Sequence, residues 1–248
     1  MSFRIIVCVK PVPDPEHWRR IRLDPVTGVL NRQGIPLIIN PLDRHALEIG
    51  LRLREAWGGR VIAATMAPAE ARPVLLDTLA MGADEAIVIS DPAFRGSDTL
   101  VTSRVLAAGI GVRGGADFVI TGQQSIDGST GQVGPQLAHF LGIPSIGHVM
   151  EIRVVAAGVL HVRSGSPDYQ LMFEVGPPVL LSVTRDVCSV RRISLAGIMQ
   201  AEKKPMRVLS AKDTGLEGAP SALEWSPTRV SSLCVPEISR RRVVLRGE

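Results

Sequence analysis

Aromatic side chains make up only 4% of this 248-residue chain, with one tyrosine and three tryptophans. That scarcity argues against an all-β sandwich, whose strands favour aromatics, and against a nucleic-acid surface built on base stacking. Cysteine is scarce too: Cys8, Cys188 and Cys234 are odd in number and far apart. They suit a reducing cytoplasm better than a disulfide framework, and no spacing among them suggests a metal site. Long apolar runs are missing, so no transmembrane helix is expected. The start, Met1-Ser2-Phe3-Arg4, moves straight into a strand without a signal-peptide pattern. The histidines His17, His45, His139, His148 and His161 are scattered without ligand or triad spacing. No nucleophile–base pair, catalytic carboxylate pair or redox cysteine pair is evident.

What is present is a 45% hydrophobic composition, enough to fill the core of one large α/β domain or of a domain with an extension. The net charge of +4 is modest but uneven. Arg191-Arg192, Lys203-Lys204 and Arg240-Arg241-Arg242 place much of it in the last quarter, as a solvated surface or as a face for acidic partners. No nucleic-acid motif accompanies it.

The most informative stretch is Gly122-Gln123-Gln124-Ser125-Ile126-Asp127-Gly128-Ser129-Thr130-Gly131-Gln132-Val133-Gly134. It follows a strand-like run, Phe118 to Thr121, and leads into a helix-like run from Gln132 to Ala138. Small residues allow close backbone approach to a ligand, and Ser129, Thr130 and the free N–H groups of a helix start can meet an anion. The Lys-Ser/Thr ending of a P-loop is missing, as is the strict dinucleotide spacing. The loop therefore points to nucleotide binding and not to hydrolysis.

Strand and helix patterns alternate over the first half. Arg4 to Val9 reads as a buried strand, and Asn40-Pro41 opens a helix with Asn40 as its cap, Pro41 in the first turn and Asp43 at its positive end. Arg60 to Met66 is the next strand, Pro68 to Met81 a helix, Ala86 to Ile89 a strand, and Ser97 to Leu100 the opening of a further helix. Such alternation predicts a parallel sheet covered by helices on both faces, with function at the carboxyl ends of its strands. Cys8 to Lys10, Met66 and the Gly122 loop lie there, and Asn40 to Asp43 could join them. Val149 to Val155, Val159 to Val162, Tyr169 to Glu174 and Val179 to Val183 read as antiparallel strands. Beyond Arg185 the pattern is irregular, and Pro205 to Glu248 reads as a tail suited to embracing a partner.

In order along the chain, Val7-Cys8-Val9-Lys10, Val12-Pro13-Asp14, Asp24-Pro25-Val26-Thr27-Gly28, Asn31-Arg32-Gln33-Gly34-Ile35-Pro36 and Ile39-Asn40-Pro41-Leu42-Asp43 resemble the small (beta) subunit of electron transfer flavoprotein. Ala46-Leu47-Glu48, Ala80-Met81-Gly82-Ala83-Asp84, Ser97-Asp98-Thr99-Leu100, the Gly122 loop, Gly197-Ile198-Met199 and Lys203-Lys204-Pro205 continue the resemblance. It implies a Rossmann-like α/β domain of the adenine-nucleotide-binding type over 1–190, with an antiparallel part at 149–184. A recognition loop at 191–204 and an arm at 205–248 around the partner subunit would follow. It also implies a heterodimer with a flavin-carrying alpha subunit that passes electrons from an acyl-CoA or other dehydrogenase, through FAD, to a quinone oxidoreductase.

Contact positions for AMP or a second FAD then map onto Cys8, Asn40, Pro41, Leu42, Asp43, Met66 and Gly122 to Val133. Partner recognition maps onto Leu195, Ile198 and Met199, with Leu195 entering a pocket on the electron donor. The chain departs from the family at Gln123, where a basic residue is usual, at Ser189 to Arg192, and at Gln200 and Glu202, where lysines are frequent. The run from Gly34 to Pro41 resembles the nitrogen-fixation and bifurcating branches, which favours the second FAD. Two other classes share this core. A stand-alone sensor of the universal-stress-protein type leaves the recognition loop and tail without a role. An ATP-activating enzyme of the pyrophosphatase type wants a Ser-Gly-Gly-x-Asp-Ser loop, which Lys10 to Asp14 is not.

Overall fold

The computed structural model describes residues 2–20, 34–166 and 168–231, together with the backbone of the short ribbon Arg22–Leu23 and Leu30–Asn31. The resemblance pieces at 24–28 and 32–33, Cys234 and the arginines at 240–242 lie outside the described residues.

Nine strands form one sheet: β1 Arg4–Cys8, β2 Arg60–Met66, β3 Glu85–Ile89, β4 Phe118–Gly122, β5 Ser145–Ala156, β6 Val159–Ser166, β7 Tyr169–Val175, β8 Val179–Val183 and β9 Met206–Leu209. Their spatial order is β7-β6-β5-β8-β4-β1-β2-β3-β9. The pairs from β5 through β9 in that order are parallel, and the β5–β6 and β6–β7 pairs are antiparallel. The fold is thus α/β with an antiparallel extension.

The core follows from alternation along the strands. Ile5, Val7, Phe118, Ile120, Val61 and Ala63 point to one face, under helices α1 Pro41–Trp57 and α2 Arg72–Met81. Ile6, Cys8, Val119, Ile62 and Ala64 point to the other, under α3 Thr99–Gly111 and α4 Val133–Leu141. Strands buried on both faces read as continuous apolar runs, as β1 and β8 do. Leu47, Leu51 and Leu53 of α1 are almost fully buried, and each such side chain contributes roughly 1.5–3 kcal/mol of transfer free energy.

The structure adds to or differs from the sequence reading at four places. Val179–Val183 does not join the antiparallel set: β8 pairs parallel with both β4 and β5. The long strand β5 serves both neighbours, its first residues pairing with β8 and the remainder with β6. The stretch from Pro68 begins as a 3-10 turn, Ala69–Ala71, before α2 opens at Arg72 with proline in its first turn. Beyond Pro205, Met206–Leu209 completes the edge of the sheet as β9. Ser226 and Thr228 then fasten the following segment to Asp98, the N-cap of α3, and Arg104 lies 4.4 Å from the ring centroid of Trp225. Within the expected arm, contacts through Thr228 thus join the chain's own domain, and 232–248 lie outside the described residues.

Much of the basic charge near 191–204 also has an internal role. Arg191 pairs with the buried Glu48 at 2.7 Å and with Glu55 at 2.7 Å. Lys204 donates to the carbonyls of Leu79 and Ala83 at the end of α2, where a cation is favourable.

Candidate functional site

The sheet order reverses beside β1. The chain moves from β1 to β2 and β3 on one side, then crosses back to place β4 on the other. Loops leaving two such strands diverge and open a crevice at their carboxyl ends, where open α/β sheets bind ligands. Here the loops are Val9-Lys10 after β1 and the glycine-rich loop after β4.

The N-terminus of α1 stitches these loops together. Asp43 is buried, and its carboxylate accepts the Lys10 N–H at 2.7 Å and the Gly122 N–H at 3.2 Å, one at each oxygen. Burial pushes its carboxyl up to about 7, against the hydrogen bonds, which favour the ionised form. Asn40, expected as a helix cap, makes no side-chain cap hydrogen bond. Its Nδ2 instead donates to the Gln124 carbonyl at 2.9 Å, and its Oδ1 accepts the Ile126 N–H at 3.1 Å. The local cap loses because Asn40 can satisfy two backbone groups of the loop at once. Pro41 and Leu42 complete this turn.

Gly122 is required by close approach. A Cβ there would run into the Asp43 carboxylate and lie 2.8 Å from the Leu42 carbonyl carbon. Gly122→Ala is expected to cost about 1–3 kcal/mol of stability in urea denaturation, because backbone and a buried carboxylate must both move. Gly128→Ala, whose Cβ would meet the Ser125 hydroxyl at 3.3 Å, should cost clearly less. Equal losses for the two variants would refute this account of Gly122.

Within the loop, Ser129 takes a left-handed conformation (φ +50°) and its N–H bonds to the Ser125 carbonyl at 2.8 Å. Gly131 is also left-handed, which suits glycine. The helix α4 that follows has Gln132 at its cap with no side-chain cap bond, so its opening N–H groups have no side-chain acceptor. Gln132 instead accepts the Thr99 hydroxyl at 2.8 Å, which ties the end of the loop to α3. The hydroxyls of Thr65 and Thr121, at the ends of β2 and β4, are buried without hydrogen-bond partners, and Thr121 Oγ1 lies against Gly134 of α4.

Asp127 pairs with Lys10 at 2.7 Å. Burial raises its pKa, but hydrogen bonds from Lys10 and Ser125 and the Lys10 charge outweigh that and hold the carboxyl below its usual range. Cys8 is buried at the end of β1, and burial pushes its thiol up to about 12, so it stays protonated. Met66 is half-buried at the end of β2. Among the described residues no cluster of His, Cys, Asp and Glu could hold a metal ion.

A cavity of about 280 Å³ lies between the loop and the start of β5, lined by Gln123, Gln124, Thr130, Gly131, Ser145 and His148. His148 has φ +50°, which is uncommon for histidine, and its Nδ1 is 3.3 Å from Gln123 Nε2. Sequence reasoning set His148 aside, because nothing local connects it with a residue 25 positions earlier. A larger cavity, about 420 Å³, lies between α2 and β9 and is lined by none of the nucleotide-contact positions chosen from the sequence. The loop chemistry, rather than cavity size, marks the site.

The second candidate region is helix α5, Leu195–Ala201. Ser194 caps it, its hydroxyl accepting the Gly197 N–H at 3.0 Å, and Ala201 anchors it in the core. Leu195, Ile198 and Met199 stand 74%, 56% and 69% exposed. Three adjacent apolar side chains are thus left in water, which makes this face a candidate interaction surface.

The family model described as "Electron transfer flavoprotein domain" matches residues 27–214. The chain belongs to the electron transfer flavoprotein family. The electron transfer flavoprotein subunit beta of Clostridium acetobutylicum is 40% identical over 241 residues, covering 97% of this chain and 91% of the relative. The Caffeyl-CoA reductase-Etf complex subunit CarD of Acetobacterium woodii is 41% identical, covering 92% and 86% respectively. Protein FixA of Azorhizobium caulinodans is 38% identical, covering 97% and 87%. Membership in the electron transfer flavoprotein family supports a role in electron transfer. The region matched to the flavoprotein domain includes Asn40, Asp43, Met66, the glycine loop and α5, whereas Cys8 and Lys10 precede it. Among the described residues, no helix of this family member is long and apolar enough to cross a membrane.

Proposed function

We propose that this chain is the beta subunit of a heterodimeric electron transfer flavoprotein. It pairs with an alpha subunit and passes electrons from a dehydrogenase, or from NADH, through FAD to an acceptor such as a quinone oxidoreductase. Its own crevice holds an adenine nucleotide, AMP or a second FAD. The observation that carries this reading is the glycine loop pinned at the switch point by Asn40 and Asp43. A pre-shaped loop avoids the ordering cost of binding.

The residues present fit such a ligand. Thr130 and the opening N–H groups of Val133 and Gly134 are donors for phosphate, whereas Ser129 gives its N–H and its hydroxyl to the Ser125 carbonyl and would have to exchange that bond for a ligand. The partly exposed side chains of Pro41, Leu42 and Met66 supply apolar surface, the backbone at Cys8 ends β1 beside them, and Gln123, Gln124 and Gln132 supply amides. A flavin bound here supplies redox chemistry, while the protein sets its position and surroundings. The exposed Leu195, Ile198 and Met199 present α5 to the electron donor. The names of the relatives CarD and the Anaerotignum propionicum acryloyl-CoA reductase electron transfer subunit gamma favour a reductase-linked partner.

The test is co-expression with the alpha subunit and nucleotide analysis of the purified complex. One FAD with one AMP supports a simple shuttle, and FAD at two sites with reduction by NADH supports bifurcation. A chain that ignores the alpha subunit and binds ATP as a homodimer sinks the reading.

A further inference from the structure

Between Gly122 and Gly134 the loop carries a single ionisable side chain, the carboxylate of Asp127. A nucleotide phosphate adds negative charge beside it, and like charges at such range repel unless a cation stands with them. Lys10 brings that cation. Its ammonium lies 2.7 Å from Asp127 Oδ1 and 3.2 Å from Ser125 Oγ.

The root of this lysine is fixed on both sides. Its N–H donates to Asp43 at 2.7 Å, and its carbonyl accepts the Asn40 N–H at 2.9 Å. The side chain is 48% exposed, so the ion pair itself adds little to stability. An ammonium has three N–H donors, and Asp127 and Ser125 engage two. The third remains for a ligand. Gly128 lies beside the ammonium, and a Cβ built there would sit 3.9 Å from Nζ, in ordinary van der Waals contact.

We propose that Lys10 is a nucleotide-binding residue of this site, the cation that meets the phosphate, held toward the loop by Asp127 and Ser125. The proposal rests on the nucleotide-binding reading of the loop given above. It sets a preference for phosphorylated over unphosphorylated ligands, because the charge–charge contact is made with phosphate alone.

Calorimetric titration of the full chain, stripped of bound nucleotide, with AMP and with adenosine tests it. Lys10→Met is expected to weaken AMP about tenfold, the worth of one charge-assisted contact, and to leave adenosine unchanged. It should also flatten the salt dependence of AMP binding. Lys10→Arg should restore most of the affinity, and Lys10→Gln carries the test should Lys10→Met fold poorly: it should show the same selective loss of AMP binding, and unchanged AMP binding in it overturns the proposal. Equal loss for AMP and adenosine in Lys10→Met would mean that Lys10 only scaffolds the loop, and overturns the proposal. Wild-type binding of AMP with no loss in Lys10→Met overturns it alone. A wild-type chain that takes up no adenine nucleotide overturns the reading of the loop itself, and the proposal with it.

Discussion

Replacing Asp43 with asparagine is expected to destabilise the fold by about 1–3 kcal/mol and to cost the crevice its shape. Both carboxylate oxygens accept backbone N–H groups, from Lys10 after β1 and Gly122 at the end of β4. Asparagine keeps one acceptor and turns an NH2 toward the other donor, which leaves a buried N–H unsatisfied. Since these two strands flank the switch point, the loss falls on the proposed nucleotide site and on stability together. Urea denaturation and nucleotide content of the purified protein measure the two effects.

The same residue predicts a pH dependence. Its folded pKa, raised to about 7, lies above the ordinary carboxylate value of about 4. The folded state therefore binds more protons between these values, and stability associated with Asp43 is present below about pH 4 and lost as pH rises through about 7. The slope attributable to this group reaches at most about 1.4 kcal/mol per pH unit. Asp43→Asn should remove that component from a stability-versus-pH series. Parallel curves for wild type and variant would show that Asp43 is ionised at all these values, held so by its two N–H donors.

The other large effect is expected at Gly197. A Cβ at this position would run into the backbone carbonyl of Ala80 at the end of α2 and lie 3.2 Å from the Ser194 hydroxyl that caps α5. A backbone carbonyl cannot swing aside as a side-chain end can, so Gly197→Ala must lift α5 from α2, at about 1–3 kcal/mol. Hydrogen exchange across 194–202 should accelerate while β1 and β4 stay protected. In the proposed complex, electron delivery from the donor should fall at least roughly tenfold with bound nucleotide unchanged, since a 1.4 kcal/mol misfit already has that effect. Unaltered exchange and unaltered delivery would show that α5 tolerates the extra methyl and that its seat does not govern recognition.

Much of the architecture was legible because strand and helix signals here are local. The apolar run Ile5-Ile6-Val7-Cys8 announces a strand buried on both faces, and the cap Asp98 announces α3 within a few residues of its start. The glycine loop was legible for the same reason: strand, small residues and helix start are contiguous. Pairing was less so. Val179–Val183 carries the same apolar signature whether its neighbours run parallel or antiparallel, and the short connection before it suggested antiparallel pairing. The sheet instead seats it between β4 and β5. Asn40 shows a different limit. Its residue type suits a helix cap, but two backbone partners 84 and 86 positions away outcompete the local bond.

The sequence by itself determined the fold class, the place of the glycine loop and the family, because each rests on short-range periodicity or on ordered motifs along the chain. Only the tertiary structure decided what holds that loop. Lys10 meets Asp127 across 117 positions, and Asp43 meets Gly122 across 79. Those contacts exist because the crossover places β1 beside β4 and lays the start of α1 over both. Hydrogen bonds and charge pairs act over a few ångströms, and the fold alone sets which distant residues come that close.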